Sequence, residues 1–73
     1  MMVEVFKTNV LYESDAMMIL HCIHKTFVGC EANFDLSDCD NILRIKYKED
    51  IVTPDTVIEL LYAFGFTATI LSD

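Results

Sequence analysis

The order of apolar patterns along the chain restricts its fold more than any other feature. The segment from Val3 to Thr8 is rich in β-branched and aromatic residues and begins with alternation, which predicts a first strand. From Ala16 to Phe27 the apolar residues recur at intervals of four, three and four, which places them on one stripe of a helix. We expect Ser14 or Asp15 to cap this helix, because their side-chain oxygens can accept hydrogen bonds from its first N–H groups.

Two short alternating runs follow, joined by a polar segment. Cys30 to Leu36 places apolar residues at every second position, and Leu43 to Tyr47 does the same with basic residues between them. Residues 37–41 have the composition of a turn. We therefore predict a hairpin in which acids on the first strand face bases on the second, an arrangement that stabilises strand pairing.

The second helix carries the clearest boundary signals. Thr53 is suited to the N-cap, Pro54 to the first helical position and Asp55 to the positive end of the helix dipole. Gly65 stands where a left-handed residue would end the helix. Residues 66–71 are again rich in β-branched side chains and predict a closing strand.

The predicted order is strand, helix, strand, strand, helix, strand. It indicates an α+β, ferredoxin-like βαββαβ sandwich, in which an antiparallel four-stranded sheet carries two helices on one face. With 73 residues, of which 53% are apolar, the chain suits one packed domain spanning residues 1–73.

The charge of the chain excludes two classes of partner. Twelve acids and five bases give a net charge of −7, which repels phosphate backbones and anionic lipids, so we expect no nucleic-acid and no membrane partner. We find no basic segment followed by an apolar one at the N-terminus, and three cysteines cannot all pair within the chain. We therefore expect reduced thiols and a cytoplasmic location.

Four segments, at residues 5–10, 29–36, 42–47 and 53–66, occur in an order and at separations that resemble the heavy-metal-associated (HMA), or copper-chaperone-like, domain family. The resemblance covers nearly the whole chain and implies the same βαββαβ fold. It also implies where a functional site would lie, in the loop before the first helix.

That family binds soft ions such as Cu(I) or Zn(II) through a Cys-x-x-Cys pair in this loop. Here the corresponding positions are Tyr12 and Asp15, or Glu13 and Ala16 if the register shifts by one residue. Neither choice supplies a sulfur, so we predict a degenerate member with no metal site and no cofactor. We hypothesise that Glu13, Ser14 and Asp15 cap the helix and keep the loop ordered without metal.

A second metal hypothesis uses residues outside the loop. Met17, His21 and His24 share one flank of the first helix, and imidazole and thioether groups can bind copper or zinc. Such spacing is common in amphipathic helices, and an ordinary helix flank is the interpretation that we favour. The alternative function is a metal-binding or metallochaperone-type protein that uses His21, His24 and Cys22.

No catalytic motif is present, since the chain has neither a recognisable nucleophile motif nor a glycine-rich loop. The acids Asp35, Asp38 and Asp40 lack the spacing of a calcium loop, and turn chemistry explains them equally well. A domain of this size is also expected to offer little concave volume for a substrate. We therefore predict no enzyme.

The remaining hypothesis is a protein-interaction or regulatory module that contacts a partner protein or a second copy of itself. HMA domains contact their partners through the first loop, the first helix and the exit of the last helix. The resemblance implies the same regions in this chain, where they carry apolar residues. These candidate interface residues are Leu11, Tyr12, Met17, Met18 and Phe66.

Overall fold

The chain forms four strands and two helices in the predicted order. A computed structural model of the protein describes residues 2–37, 39–48 and 52–71. The elements are β1 (Met2–Thr8), α1 (Glu13–Thr26), β2 (Glu31–Asp35), β3 (Ile42–Tyr47), α2 (Pro54–Ala63) and β4 (Ala68–Ile70). The strands lie in the order β2-β3-β1-β4 and every neighbouring pair is antiparallel, which confirms the ferredoxin-like sandwich.

The core lies between one face of the sheet and the two helices. In β1 and β3, Phe6 stands opposite Leu43, so both side chains project from the same face, and neither is exposed to solvent. The helices contribute the other side of the core. The largest fully buried side chains are Phe6, Val10, Ile19, Ile23, Leu43, Ile45, Val57 and Leu61. Packing of this kind is the main source of stability in a small domain.

The hairpin of β2 and β3 forms as predicted, but its charge pairing is only partly correct. Glu31 stands opposite Lys46, whereas Asp35 stands opposite Ile42 rather than a base. The strand β3 begins at Ile42, one residue earlier than predicted, and this places Asp35 beside the turn. Its carboxylate accepts hydrogen bonds from the N–H and the hydroxyl of Ser37, at 3.2 and 2.6 Å, and so supports the turn instead.

The predicted boundaries of α2 are confirmed. The Thr53 side chain accepts a hydrogen bond from the Thr56 N–H, and Pro54 occupies the first turn. At the other end Gly65 has φ +91°, and the Phe66 N–H donates to the carbonyl of Leu61 at 2.9 Å. This pattern is a left-handed helix cap, and because Phe66 completes it, the final strand starts only at residue 68.

Candidate functional site

The start of the loop between β1 and α1 is held in place by buried contacts. Val10 is fully buried, and its N–H donates to the hydroxyl oxygen of Thr8 at 3.2 Å. The same hydroxyl donates to the carbonyl of Asn41 at 2.6 Å, and the Thr8 N–H donates to the carbonyl of Asp40 at 3.1 Å. The start of the loop is therefore fixed to the turn between β2 and β3.

A second anchor ties the loop to the exit of α2. The side-chain oxygen of Asn9 accepts a hydrogen bond from the Thr67 N–H at 2.8 Å. With Asn9 and Val10 held in this way, the next two side chains, Leu11 and Tyr12, project into solvent and are 66% and 68% exposed. The loop thus presents two large apolar groups on a backbone with a defined position.

The helix α1 begins earlier than predicted, and its capping prediction is wrong. Tyr12 is the N-cap, with φ −108° and ψ 140°, and its carbonyl accepts from the Ala16 N–H at 3.0 Å. No side chain caps this terminus. Ser14 and Asp15 cannot do so because they already lie within the first helical turn. The carboxylates in that turn, on Glu13 and Asp15, lie near the positive end of the helix dipole, where negative charge is favourable.

The positions that correspond to a Cys-x-x-Cys pair do not suit a soft metal ion. Tyr12 and Asp15 offer a phenol and a carboxylate, while Glu13 and Ala16 offer a carboxylate and a methyl group that is buried in the core. Soft ions such as Cu(I) select thiolate and thioether ligands. The donor set at the start of α1 therefore does not fit the ion that the HMA resemblance would imply.

Four exposed apolar side chains lie in the loop before α1 and in the first two turns of the helix, and we call them the α1 entry surface: Leu11, Tyr12, Met17 and Met18. The two methionines are 70% and 46% exposed. Phe66, the fifth predicted interface residue, is half-buried and packs against the core, so only part of its ring faces solvent. Exposed apolar groups concentrated in one place are typical of binding surfaces, whereas scattered ones are not.

The histidine stripe on α1 has one member with a structural role. His21 and Met17 are exposed, and the Nε2 atom of His24 accepts a hydrogen bond from the Ala32 N–H in β2 at 3.0 Å. A metal ion bound at this nitrogen would have to displace that hydrogen bond. Among the described residues, no group of three or more His, Cys, Asp or Glu side chains is placed to hold a metal ion.

The three cysteines lie in different environments. Cys22 is half-buried, with its sulfur 3.8 Å from the Thr26 hydroxyl, and Cys39 is exposed. Cys30 is buried, with its sulfur 4.0 Å from the carbonyl oxygen of Ile23, and burial raises the pKa of its thiol above the ordinary value. Cys30 is therefore a core residue.

The two described acids near the turn between β2 and β3 contact different groups. Asp35 accepts from Ser37, and the Asp40 carboxylate lies 3.6 Å from the Lys7 ammonium group. Asp38 lies outside the described residues. Asp35 thus supports the turn, whereas Asp40 forms an ion pair with a residue of β1.

A cleft of about 470 Å³ lies between α1 and β2, which contradicts the expectation of little concave volume. Most of its lining is apolar, and Glu13 and Asp35 are among the lining residues. The apolar lining residues are Ala16, Met17, Leu20, Phe34 and Leu36. Sequence patterns do not reveal this cleft, because it depends on how far the helix stands from the strand.

Comparisons with known proteins support the fold. No family model and no curated protein matches the chain. Among solved structures, a copper binding domain from HMA7, a P-type ATPase, is 16% identical with a TM-score of 0.75, covering 99% of this chain and 96% of that one. Oxidized MerP from Ralstonia metallidurans CH34 is 5% identical with a TM-score of 0.79, covering 97% of both chains.

The yeast copper transporter domain CCC2A, solved in its apo and Cu(I) loaded states, is 19% identical with a TM-score of 0.70. The match covers 97% of this chain and 96% of the yeast domain. None of the described helices has the length and apolarity that are needed to cross a bilayer. At these identities the comparisons establish architecture, and the chain has the ferredoxin-like fold seen in heavy-metal-associated domains.

Proposed function

We propose that this chain is a non-enzymatic binding domain that contacts a protein partner through the α1 entry surface. The observation that supports the proposal is the combination of an anchored loop with four exposed apolar side chains. Aromatic and methionine side chains are enriched at protein interfaces, and leucine adds apolar area. Tyr12 at the tip of the loop is the side chain that we expect to contribute most to the affinity.

The anchoring of the loop matters for affinity. Binding costs free energy when flexible segments must become ordered, so a loop already held in place loses less on association. Val10 is buried beneath the loop, and the side chain of Asn9 ties it to Thr67. Leu11 and Tyr12 are therefore presented in a fixed position before any partner arrives.

We further propose that the domain does not carry a soft metal ion in this loop. The proposal is supported by the donor set, which contains oxygen and carbon where thiolates would be needed. A chelator competition titration with Zn(II) and with Cu(I) at neutral pH tests this directly. Metal binding below micromolar free concentration would contradict the proposal and would favour the alternative ligands His21, His24 and Cys22.

The interaction itself is tested by affinity capture with matched variants. The double variant Tyr12→Ser, Met17→Gln removes apolar area from the α1 entry surface without touching the core. The control variant Val3→Ser, Val28→Ser removes apolar side chains that are 51% and 78% exposed at the start of β1 and beyond the end of α1. Val28 follows the opposite end of α1, roughly 20 Å along a helix of this length.

We expect one or more proteins from the source cells to be retained by the wild type and by the control variant. The Tyr12→Ser, Met17→Gln variant should retain them at least about tenfold less, which corresponds to the loss of a single binding hot spot. Sedimentation equilibrium of the purified chain distinguishes a partner from a second copy. Equal capture by all three proteins would show that the α1 entry surface is not the binding site.

A further inference from the structure

One edge of the sheet is open beside the cleft. Among the described strands, in the order β2-β3-β1-β4, β2 has only one neighbour, so its other side faces away from the sheet. The cleft is lined by residues 33–37, which are the end of this strand and the start of the turn after it. An edge strand is a template for another extended segment, because its outward N–H and C=O groups can extend the ladder.

The outward backbone groups of β2 can be assigned from one hydrogen bond. The N–H of Ala32 donates to His24 rather than to β3, so Ala32 directs its backbone groups outward. Alternation along the strand gives Phe34 the same direction. Among the described residues, no hydrogen bond to the outward groups of Phe34 is present outside the strand pairing.

His24 therefore closes one end of the edge and leaves the other end open. The open end, at Phe34, is where the cleft lies, with the Phe34 side chain forming part of its lining. A segment that pairs with Phe34 would place alternate side chains into the cleft, against Met17 and Leu20 of α1. The cleft thus combines a backbone template with apolar pockets for side chains.

The charge around the cleft indicates the composition of that segment. Glu13 and Asp35 both line the cleft, and the chain as a whole carries a net charge of −7. Arg44 in β3 stands opposite Asn33 and donates to the Asn33 side-chain oxygen at 3.5 Å. Asp35 alternates with Phe34, so its side chain projects from the face of the sheet opposite to the cleft. Lysine or arginine side chains that alternate with the apolar ones would lie on that same face and would be complementary to the negative charge.

We infer that the partner supplies an extended segment of alternating apolar and basic residues, which adds as a strand to β2 at Phe34. This inference rests on the proposed function and names the chemistry of the partner. Met17 belongs both to the cleft lining and to the α1 entry surface, so the two sites are continuous. A second copy of this chain is a poor occupant, because a symmetric pair would bring the carboxylates of Glu13 and Asp35 close to those of the other copy.

The experiment uses the isotopically labelled chain and three blocked heptapeptides. The first alternates lysine and valine, the second replaces every lysine with glutamate, and the third repeats the first with an N-methyl group on every residue. The methyl groups remove the N–H donors on both edges of the peptide while keeping its charge. Amide chemical shifts report the binding site, and their concentration dependence gives the dissociation constant.

We expect the lysine peptide to shift the amide signals of residues 13–20 and 32–37 and to slow hydrogen exchange at Phe34. Both other peptides should bind at least about tenfold more weakly. The variant Glu13→Gln, Asp35→Asn should weaken the lysine peptide by a similar factor, while the asparagine oxygen can still accept from Ser37. The variant Asp55→Asn, Glu59→Gln removes the same charge from exposed sites on α2 and should bind as the wild type does.

Several results would overturn the inference. If the methylated peptide bound as tightly as the unmethylated lysine peptide, charge alone would explain the binding. If the chemical-shift changes were confined to β4, the peptide would bind at the other edge of the sheet. Concentration-dependent shifts in β2 without peptide would identify a second copy as the occupant. If no peptide binds while capture still depends on Tyr12 and Met17, the proposed function stands and the strand-addition inference fails.

Discussion

Replacing Tyr12 with serine should stabilise the domain, although it removes a large aromatic side chain. Tyr12 occupies the N-cap of α1 with the extended backbone that capping residues adopt, yet no side chain caps this terminus. Serine at an N-cap accepts a hydrogen bond from an N–H of the first turn, and this is worth about 1 kcal/mol relative to alanine. The tyrosine is 68% exposed, so its removal sacrifices little buried area.

The magnitude is best measured as the difference between Tyr12→Ser and Tyr12→Ala, because both variants lose the ring and only one gains a cap. We expect the serine variant to be more stable by about 1 kcal/mol, which raises the melting temperature of a domain of this size by about 4–8 °C. Urea unfolding followed by circular dichroism gives the free energy directly, and the slope with urea should not change.

Two further variants serve as controls for the position of the helix terminus. Ser14→Ala should be neutral or slightly stabilising, since Ser14 lies inside the first turn, where alanine is the better helix former. Asp15→Ala should lose only the few tenths of a kcal/mol that a charge near the helix dipole supplies. Equal stability of the serine and alanine variants at position 12, or a loss of about 1 kcal/mol in either control, would refute this account of the terminus.

A stabilising substitution at Tyr12 also bears on function. Binding sites commonly retain residues that are not optimal for stability. If Tyr12 serves the proposed interface, Tyr12→Ser should raise the unfolding free energy and lower partner capture in the same protein. A variant that gained stability and kept full capture would assign the interface to the remaining residues of the α1 entry surface.

Three other predictions concern the fold. Thr53→Ala should lower the unfolding free energy by about 1 kcal/mol, because it removes the side chain that caps α2, and urea unfolding measures the change. Gly65→Ala should lower the unfolding free energy by about 1–2 kcal/mol in the same assay, because φ at this position is +91°. An added Cβ would meet no atom within 4 Å, so the loss comes from the backbone conformation alone. Burial raises the pKa of the Cys30 thiol, and burial together with the nearby Glu4 carboxylate raises that of the Tyr47 hydroxyl. Folding therefore favours the neutral forms of both groups. Their contribution to the unfolding free energy is fully present below the unfolded-state pKa values, and it is lost as the pH rises through the folded-state pKa values. The urea midpoint should therefore fall above about pH 9, and less so in the variant Cys30→Ala, Tyr47→Phe.

The contrast between the two helices explains which boundaries the sequence could predict. At α2 the signals are local, because Thr53 caps with its own side chain and Gly65 adopts a conformation that glycine favours. At α1 the N-cap is Tyr12, a residue with no capping propensity, and the search for a capping side chain selected Ser14 and Asp15 instead. The backbone alone closes this terminus, and a pattern of side chains cannot show that.

The candidate site likewise has some features that the sequence predicts and others that it does not. The exposure of Met17 and Met18 follows from their positions off the buried stripe of α1, which the spacing of apolar residues predicts. The anchoring of the loop does not follow, since Asn9 and Thr67 are separated by 58 positions along the chain. The cleft is likewise a product of helix-to-strand distance. Sequence patterns do not determine contacts between segments that lie far apart along the chain.

The anchors of the loop lie outside the positions that would bind a metal, so fold and metal binding should be separable. Tyr12 and Asp15 are the N-cap and the third helical residue, whose side chains approach each other at a helix start. The alternative pair includes Ala16, which is 4% exposed and faces the core. We therefore propose Tyr12 and Asp15, rather than Glu13 and Ala16, as the positions equivalent to the thiol pair.

The variant Tyr12→Cys, Asp15→Cys should consequently gain tight Cu(I) and Zn(II) binding while keeping the fold, because two thiolates at a helix N-terminus suit a soft ion. The matched variant Glu13→Cys, Ala16→Cys should bind more weakly and lose about 1–3 kcal/mol of stability, since the larger side chain at position 16 must fit into the packed core. Chelator competition and urea unfolding measure both quantities on the same samples. If the second pair bound metal as tightly as the first, or if the first pair unfolded the domain, the loop would not be the independent scaffold that its anchors to Asn41 and Thr67 indicate.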